Sequence, residues 1–193
     1  MEKDRLQAFS DGVIAILITI MVLELKVPHT SNRRALSDLA PVFLSYVLSF
    51  VNLGIYWNNH HHLLAATRRI TGGVLWANMH LLFWLSLFPF FTGWMGENHF
   101  DPLPTAAYGG VLLAAAIAYF VLVKVIIRVQ EPGSVLEEAI GRDVKGKISP
   151  VVYALAIPIA FLNQWVALGM YVAVSLIWLV PDRRIESRFY GDA

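Results

Sequence analysis

Phe9-Ser10-Asp11-Gly12-Val13-Ile14-Ala15-Ile16 opens a hydrophobic segment that runs on to Leu23. Arg5 stands six residues before Asp11. The pair places an acid and a base at the mouth of a membrane helix. A carboxylate at membrane depth costs a few kcal/mol, so it faces a protein interior or water and takes a partner. Beyond Asp11 the segment is apolar apart from Thr19 until Glu24. Ile16, Thr19, Ile20 and Leu23 follow one another at i, i+3, i+4 and i+7, which is one helical stripe.

The rest of the chain agrees with a membrane assignment. Of its 193 residues, 57% are hydrophobic and only 15% are charged. Soluble domains carry about 25% charged residues. Mean hydropathy is +0.58, and several runs exceed the roughly 18 apolar residues that mark a span. An all-α integral membrane protein is expected, with no room for a separate soluble domain. A formal net charge of +1 provides no field to recruit nucleic acid. The lack of cysteine excludes disulfides and thiolate metal sites. The first segment makes a poor signal peptide, because it carries Asp11 and lacks a small-residue cleavage site.

Six spans are expected within one domain covering 1–193, at about 4–25, 39–64, 73–95, 105–129, 148–162 and 165–180. Pro28 follows the first. Thr67, Arg68 and Arg69 turn the second into the third. Ser134 and Glu137 have capping-box spacing, which predicts a short surface helix before the fifth. The apolar run 148–180 is too long for one span, and Asn163-Gln164 is its natural turn. Trp94, Trp165 and Trp178 fall near span ends, where amphipathic aromatics are expected.

Charge bias tests this division. Of fifteen Lys and Arg residues, a cytoplasmic N-terminus leaves only Lys26, Arg33 and Arg34 outside. The other twelve fall at inner ends or loops, as the positive-inside rule requires. The Arg183, Arg184 and Arg188 cluster must also lie inside, so the number of spans is even. A multi-pass protein of the cell membrane with both termini cytoplasmic follows.

This topology brings polar groups of three helices to one depth. The inner half of the first helix carries Arg5 and Asp11. The inner end of the second carries Trp57, Asn58, Asn59, His60, His61 and His62, and the start of the third carries Asn78 and His80. Lipid offers these groups no partners. A network of Arg5, Asp11, one of the three histidines and Asn78 or His80 is the economical solution. It reads first as a structural clasp, then as a proton relay. A metal site is weakest. Successive helical residues splay by about 100°, so the three histidines do not chelate as a unit, and no metal or other cofactor is expected. On composition alone the apolar stripe of the first helix reads as lipid contact or bundle core.

Arg5 followed by Phe9-Ser10-Asp11 at the start of the first span resembles the signature of the transmembrane protein 175 family of potassium channels. Trp57 through His61 late in the second helix, Asn78, and the Leu-Phe-Pro-Phe run ending at Phe90 extend the resemblance. It implies a homotetramer of six-helix, single-repeat subunits that conducts potassium ions and is no enzyme. It also implies that the first helices line the pore. Matching by distance from Asp11 places the constriction at Ile16 and Ile20, with Leu23 above and Thr19 as an ion-contacting hydroxyl. Arg5, Phe9, Ser10, Asp11, Trp57, His60, His61, Asn78 and His80 are then a supporting network that does not coordinate the ion. The alternative is a proton-coupled or other secondary transporter using Asp11 and the histidines. An enzyme is the least favoured class, since no nucleophile–base pair or metal set is visible.

Overall fold

The computed structural model describes residues 3–29, 33–130 and 144–179. The described residues are helical, with no strand. This is the membrane solution: each backbone N–H and C=O is satisfied within its own segment. The helices are α1 (Lys3–Leu23), α2 (Arg33–Ala65), α3 (Gly72–Ser86), α4 (Phe88–Glu97), α5 (Pro102–Val129), α6 (Val144–Leu162) and α7 (Gln164–Leu179). Five stretches are long and apolar enough to cross a membrane, with α3 and α4 together forming the third from Gly72 to Glu97; α7 is shorter and apolar. The proposed surface helix at Ser134 and Glu137 and the arginines at 183, 184 and 188 lie outside the described residues.

Three boundaries differ from expectation. Helix α2 begins at Arg33, six residues before the expected start, and carries Pro41 inside it. Its 33 residues extend about 50 Å at 1.5 Å per residue, beyond a hydrocarbon core of about 30 Å. The polar stretch before Leu39 is therefore helix outside the apolar layer, where polarity does not argue against helix. The third span is broken at Leu87. Pro89 has no N–H to offer, so the ladder resets: the Leu87 N–H donates to the Trp84 carbonyl at 3.3 Å. Leu87 keeps right-handed dihedrals, so the break unwinds no long backbone stretch. Helix α6 begins at Val144 rather than near Ile148, and carries Pro150 and Pro158.

The turn between α6 and α7 falls at Asn163, as its composition suggests. The Asn163 side-chain oxygen accepts from the N–H groups of Trp165 and Val166, at 3.0 and 3.3 Å, and so caps α7. The turn between α4 and α5 is sharper. His99 and Phe100 have φ of 52° and 63°, a left-handed conformation that non-glycine residues rarely adopt. The Phe100 N–H closes on the Met95 carbonyl at 3.0 Å, and its buried ring packs against Trp165. Burial of the ring offsets the backbone cost.

Helix α5 is the central post. It packs against α3, α4, α6 and α7, whereas α1 packs against α2, α3 and α4. The pair α6 and α7 thus occupies the side of the subunit away from α1. Polar side chains lock the middle of the bundle. Ser49 bonds Thr92 at 2.5 Å and Tyr108 at 2.9 Å, and Ser175 donates to Asn52 at 3.1 Å. Such bonds join helices where lipid supplies no hydrophobic drive between them.

Helix α5 meets α7 closely at Gly109. A Cβ there would overlap the Tyr171 hydroxyl and lie 2.7 Å from its Cζ. That hydroxyl donates to the Thr105 carbonyl at 3.2 Å. Gly109→Ala should therefore lower stability by about 1–3 kcal/mol through overpacking. At the neighbouring Gly110 a Cβ meets nothing within 4 Å, so Gly110→Ala should not destabilise. Thermal unfolding of the two variants in detergent, followed by tryptophan fluorescence, checks the contrast.

Candidate functional site: the two faces of the first helix

Helix α1 divides lengthwise. Leu6, Ser10, Ile14, Leu17 and Met21 are buried, at helical spacing. The opposite face is uncovered in the single chain: Ile16 is 57% exposed, Ile20 40% and Leu23 76%, with Thr19 exposed between them. Gly12 and Phe9 continue this face toward the N-terminal end. Thr19 Oγ1 donates its proton to the Ile16 carbonyl at 2.8 Å. Its hydroxyl oxygen is thereby left free to accept.

The buried face is fixed by a polar knot. Ser10, His60 and Asn78 are each fully buried. Asn78 Nδ2 donates to Ser10 Oγ at 2.9 Å, and Ser10 Oγ donates to the Leu6 carbonyl at 2.9 Å. His60 Nε2 and Asn78 Oδ1 are 2.6 Å apart; the oxygen accepts, so Nε2 carries the proton. His60 Nδ1 has no partner among the described residues. Helices α1, α2 and α3 are joined at this point.

A second set of contacts runs beside it. Trp57 Nε1 donates to Asp11 Oδ1 at 2.9 Å, and Gln7 Nε2 lies 2.9 Å from His61 Nδ1. Gln7 and Asp11 are four residues apart on α1, and His61 and Trp57 four apart on α2. The two helices run antiparallel, so the pairs form two rungs of one ladder. Trp57 is 45% exposed and its ring leans on His61.

The single connected network expected from the sequence is therefore two sets. Asp11 pairs with an indole rather than with a base. Arg5 is exposed and has no hydrogen-bond or ion-pair partner among the described residues. His80 accepts from Trp84 within its own helix at 3.0 Å and joins neither set. His62 touches the His61 ring only edge-on. No group of three or more metal-ligating side chains occurs among the described residues. Gln7 was missed, although its place four residues before Asp11 marks it as sharing that face.

The ends of the site are also tied. Lys3 Nζ donates to the Ala65 carbonyl at 3.1 Å. At the far end Lys26 Nζ meets Glu97 Oε1 at 2.7 Å, which raises the Lys26 pKa. That pair is exposed, so it positions α1 against α4 more than it stabilises the fold.

Asn78→Ala should leave the His60 Nε2–H without an acceptor and the Ser10 oxygen without its donor in a closed interior, Ser10 keeping only its bond to the Leu6 carbonyl. Each such group costs about 1–3 kcal/mol, enough to lower the unfolding temperature markedly. His80→Ala, which removes only a contact within α3, should leave it nearly unchanged. Unfolding temperatures in one detergent compare them directly.

The family model described as endosomal/lysosomal potassium channel TMEM175 matches residues 5–89, which hold both contact sets and the exposed stripe. A protein named potassium channel from Chryseobacterium sp. (strain P1-3) is 53% identical over 96% of this chain and 97% of its own length. Human endosomal/lysosomal proton channel TMEM175 is 36% identical over 83 residues, 37% of this chain and 16% of that protein. The crystal structure of a lysosomal potassium-selective channel TMEM175 homolog from Chamaesiphon minutus superposes with a TM-score of 0.77 at 26% identity, covering 93% of this chain and 97% of that one. The chain belongs to the TMEM175 family, a family of ion channels and not of enzymes.

Proposed function

We propose that this chain forms a potassium-permeable channel in the cell membrane, as a homotetramer whose pore is lined by α1. One observation carries the reading. Helix α1 has one face sealed into its own subunit by buried polar bonds and the other face apolar and uncovered. A helix held that firmly on one side and bare on the other is suited to meet copies of itself about an axis. The names of the bacterial relatives and of the Chamaesiphon structure supply the permeant ion.

On this reading Ile16 and Ile20 form two apolar rings one turn apart, with Leu23 as a third. Wetting such rings is the barrier to conduction, and apolar constrictions gate in this way. Thr19 contributes a ring of accepting oxygens between them. Ser10, His60 and Asn78 hold α1 from behind, and Gln7, Asp11, Trp57 and His61 fix its rotation; neither set touches the ion. Residues 1–193 act as one six-span domain. Lys3, Arg5, Arg68, Arg69, Lys124, Arg128, Lys145 and Lys147 lie at one end, which favours cytoplasmic termini. A transporter using Asp11 and the histidines is less favoured, because Asp11 bonds the Trp57 indole, while His60 bonds Asn78 and His61 bonds Gln7.

Ile16→Asn should make the constriction easier to hydrate, so potassium flux should persist or rise while the preference for potassium over sodium falls toward that of free solution. Ile16→Ala and the same changes at Ile20 should show milder versions. Reversal potentials in asymmetric potassium and sodium measure this. Unchanged selectivity in all four variants would return the stripe to lipid contact.

A further inference from the structure

On the side of the subunit away from α1, helices α2, α5, α6 and α7 line a partly open cavity of about 100 Å³. Its walls are mixed. Ile55, Ala116 and Val123 are apolar, whereas Tyr56, Asn59 and Tyr153 bring polar atoms to membrane depth. Several polar neighbours are already satisfied by the protein. Tyr119 donates to the Asn59 carbonyl at 3.2 Å, and Trp178 Nε1 donates to Ser149 Oγ at 2.8 Å. Tyr153 is not. It is only 4% exposed, it lines the cavity, and its hydroxyl makes no hydrogen bond among the described residues. The buried side-chain atoms without a partner among the described residues are His60 Nδ1 and Gln130 Nε2, so the Tyr153 hydroxyl is not sealed off: it opens on the cavity, where a ligand can bond it.

The rim identifies the chemistry. Phe120, Lys124 and Lys147 line the cavity and are exposed. Lys124 Nζ sits over the Phe120 ring, 5.4 Å from its centroid, and neither lysine has an ion pair among the described residues. Both stand at the end of the molecule that collects basic residues. Two ammonium groups at a membrane interface, above a largely apolar cleft between spans, suit an anionic head carrying an apolar tail. A soluble anion would use the rim and leave the apolar wall unfilled.

We propose that this cavity is a binding site for an anionic phospholipid, with the phosphate held by Lys124 and Lys147 and the glycerol region reaching the Tyr153 hydroxyl. The site stands independently of the pore reading. It has a route to α1 all the same: the helix that lends Tyr56 and Asn59 to the cavity lends Trp57 and His60 to the contacts with α1 and α3.

The test uses the full chain purified in detergent and depleted of lipid. Phosphatidylglycerol, phosphatidylcholine with the same acyl chains, and glycerol phosphate are titrated separately, with binding read by native mass spectrometry and unfolding temperature. Phosphatidylglycerol should bind saturably and raise the unfolding temperature. Lys124→Gln with Lys147→Gln should weaken it at least tenfold, and the two Lys→Arg changes should preserve it. Tyr153→Phe should weaken it several-fold while the lipid-free unfolding temperature stays unchanged. Equal binding of phosphatidylcholine, or an undiminished response in the double Gln variant, would overturn the proposal. So would equal binding of glycerol phosphate, which would mean a soluble-anion site.

Discussion

The fold turns on the hydrogen bonds that Asn78 makes in two directions, to Ser10 on α1 and to His60 on α2. An amide is well suited to this place. It donates and accepts at once, so it joins a hydroxyl to an imidazole without introducing charge into a dry interior. Apolar packing alone would hold α1 weakly, because lipid tails compete for the same surface on equal terms. Buried polar bonds have no such competitor. They leave the bare side of α1 available for another task without loosening the subunit.

The same logic recurs toward the other end of the bundle. Ser49, Thr92 and Tyr108 join α2, α4 and α5, and Ser175 on α7 reaches Asn52 on α2. Polar residues thus sit where helices cross, and apolar residues fill the space between them. The aromatic packing of Tyr108 against Phe88 and Tyr171 extends this around α5.

Much of this was legible in the sequence, for definable reasons. Length and hydropathy located the spans, because a bilayer imposes a minimum apolar length. The stripe at Ile16, Thr19, Ile20 and Leu23 was legible as a face, although only the folded subunit could show that its own helices leave it uncovered. Asn78 was legible from the depth at which three helices bring their polar groups together, Ser10 was singled out through a family resemblance, and His60 was one of three adjacent histidines. Which of the three turns inward depends on the rotation of α2, and that is set by contacts remote in sequence. The pairing of Asp11 with Trp57 was missed because charge suggested Arg5, whereas the antiparallel register presents an indole. The break at Leu87 was foreshadowed by Pro89, but a hydropathy reading does not register a single missing N–H. The start of α2 was misplaced because polarity argues against lipid, not against helix.

The two rungs between α1 and α2 have a consequence for how the chain tolerates change. Gln7 and Asp11 set the azimuth of α1, and Ile16 to Leu23 display the result of that setting one to three turns later. The residues between them act as a phase interval. Each residue advances a helix by about 100°, so inserting or deleting one between Asp11 and Ile16 would turn the whole stripe into its own subunit while every side chain kept its identity. A side chain exchanged on the exposed face of this interval leaves the stripe where it is, whereas the length of the interval sets its azimuth like the pitch of a screw.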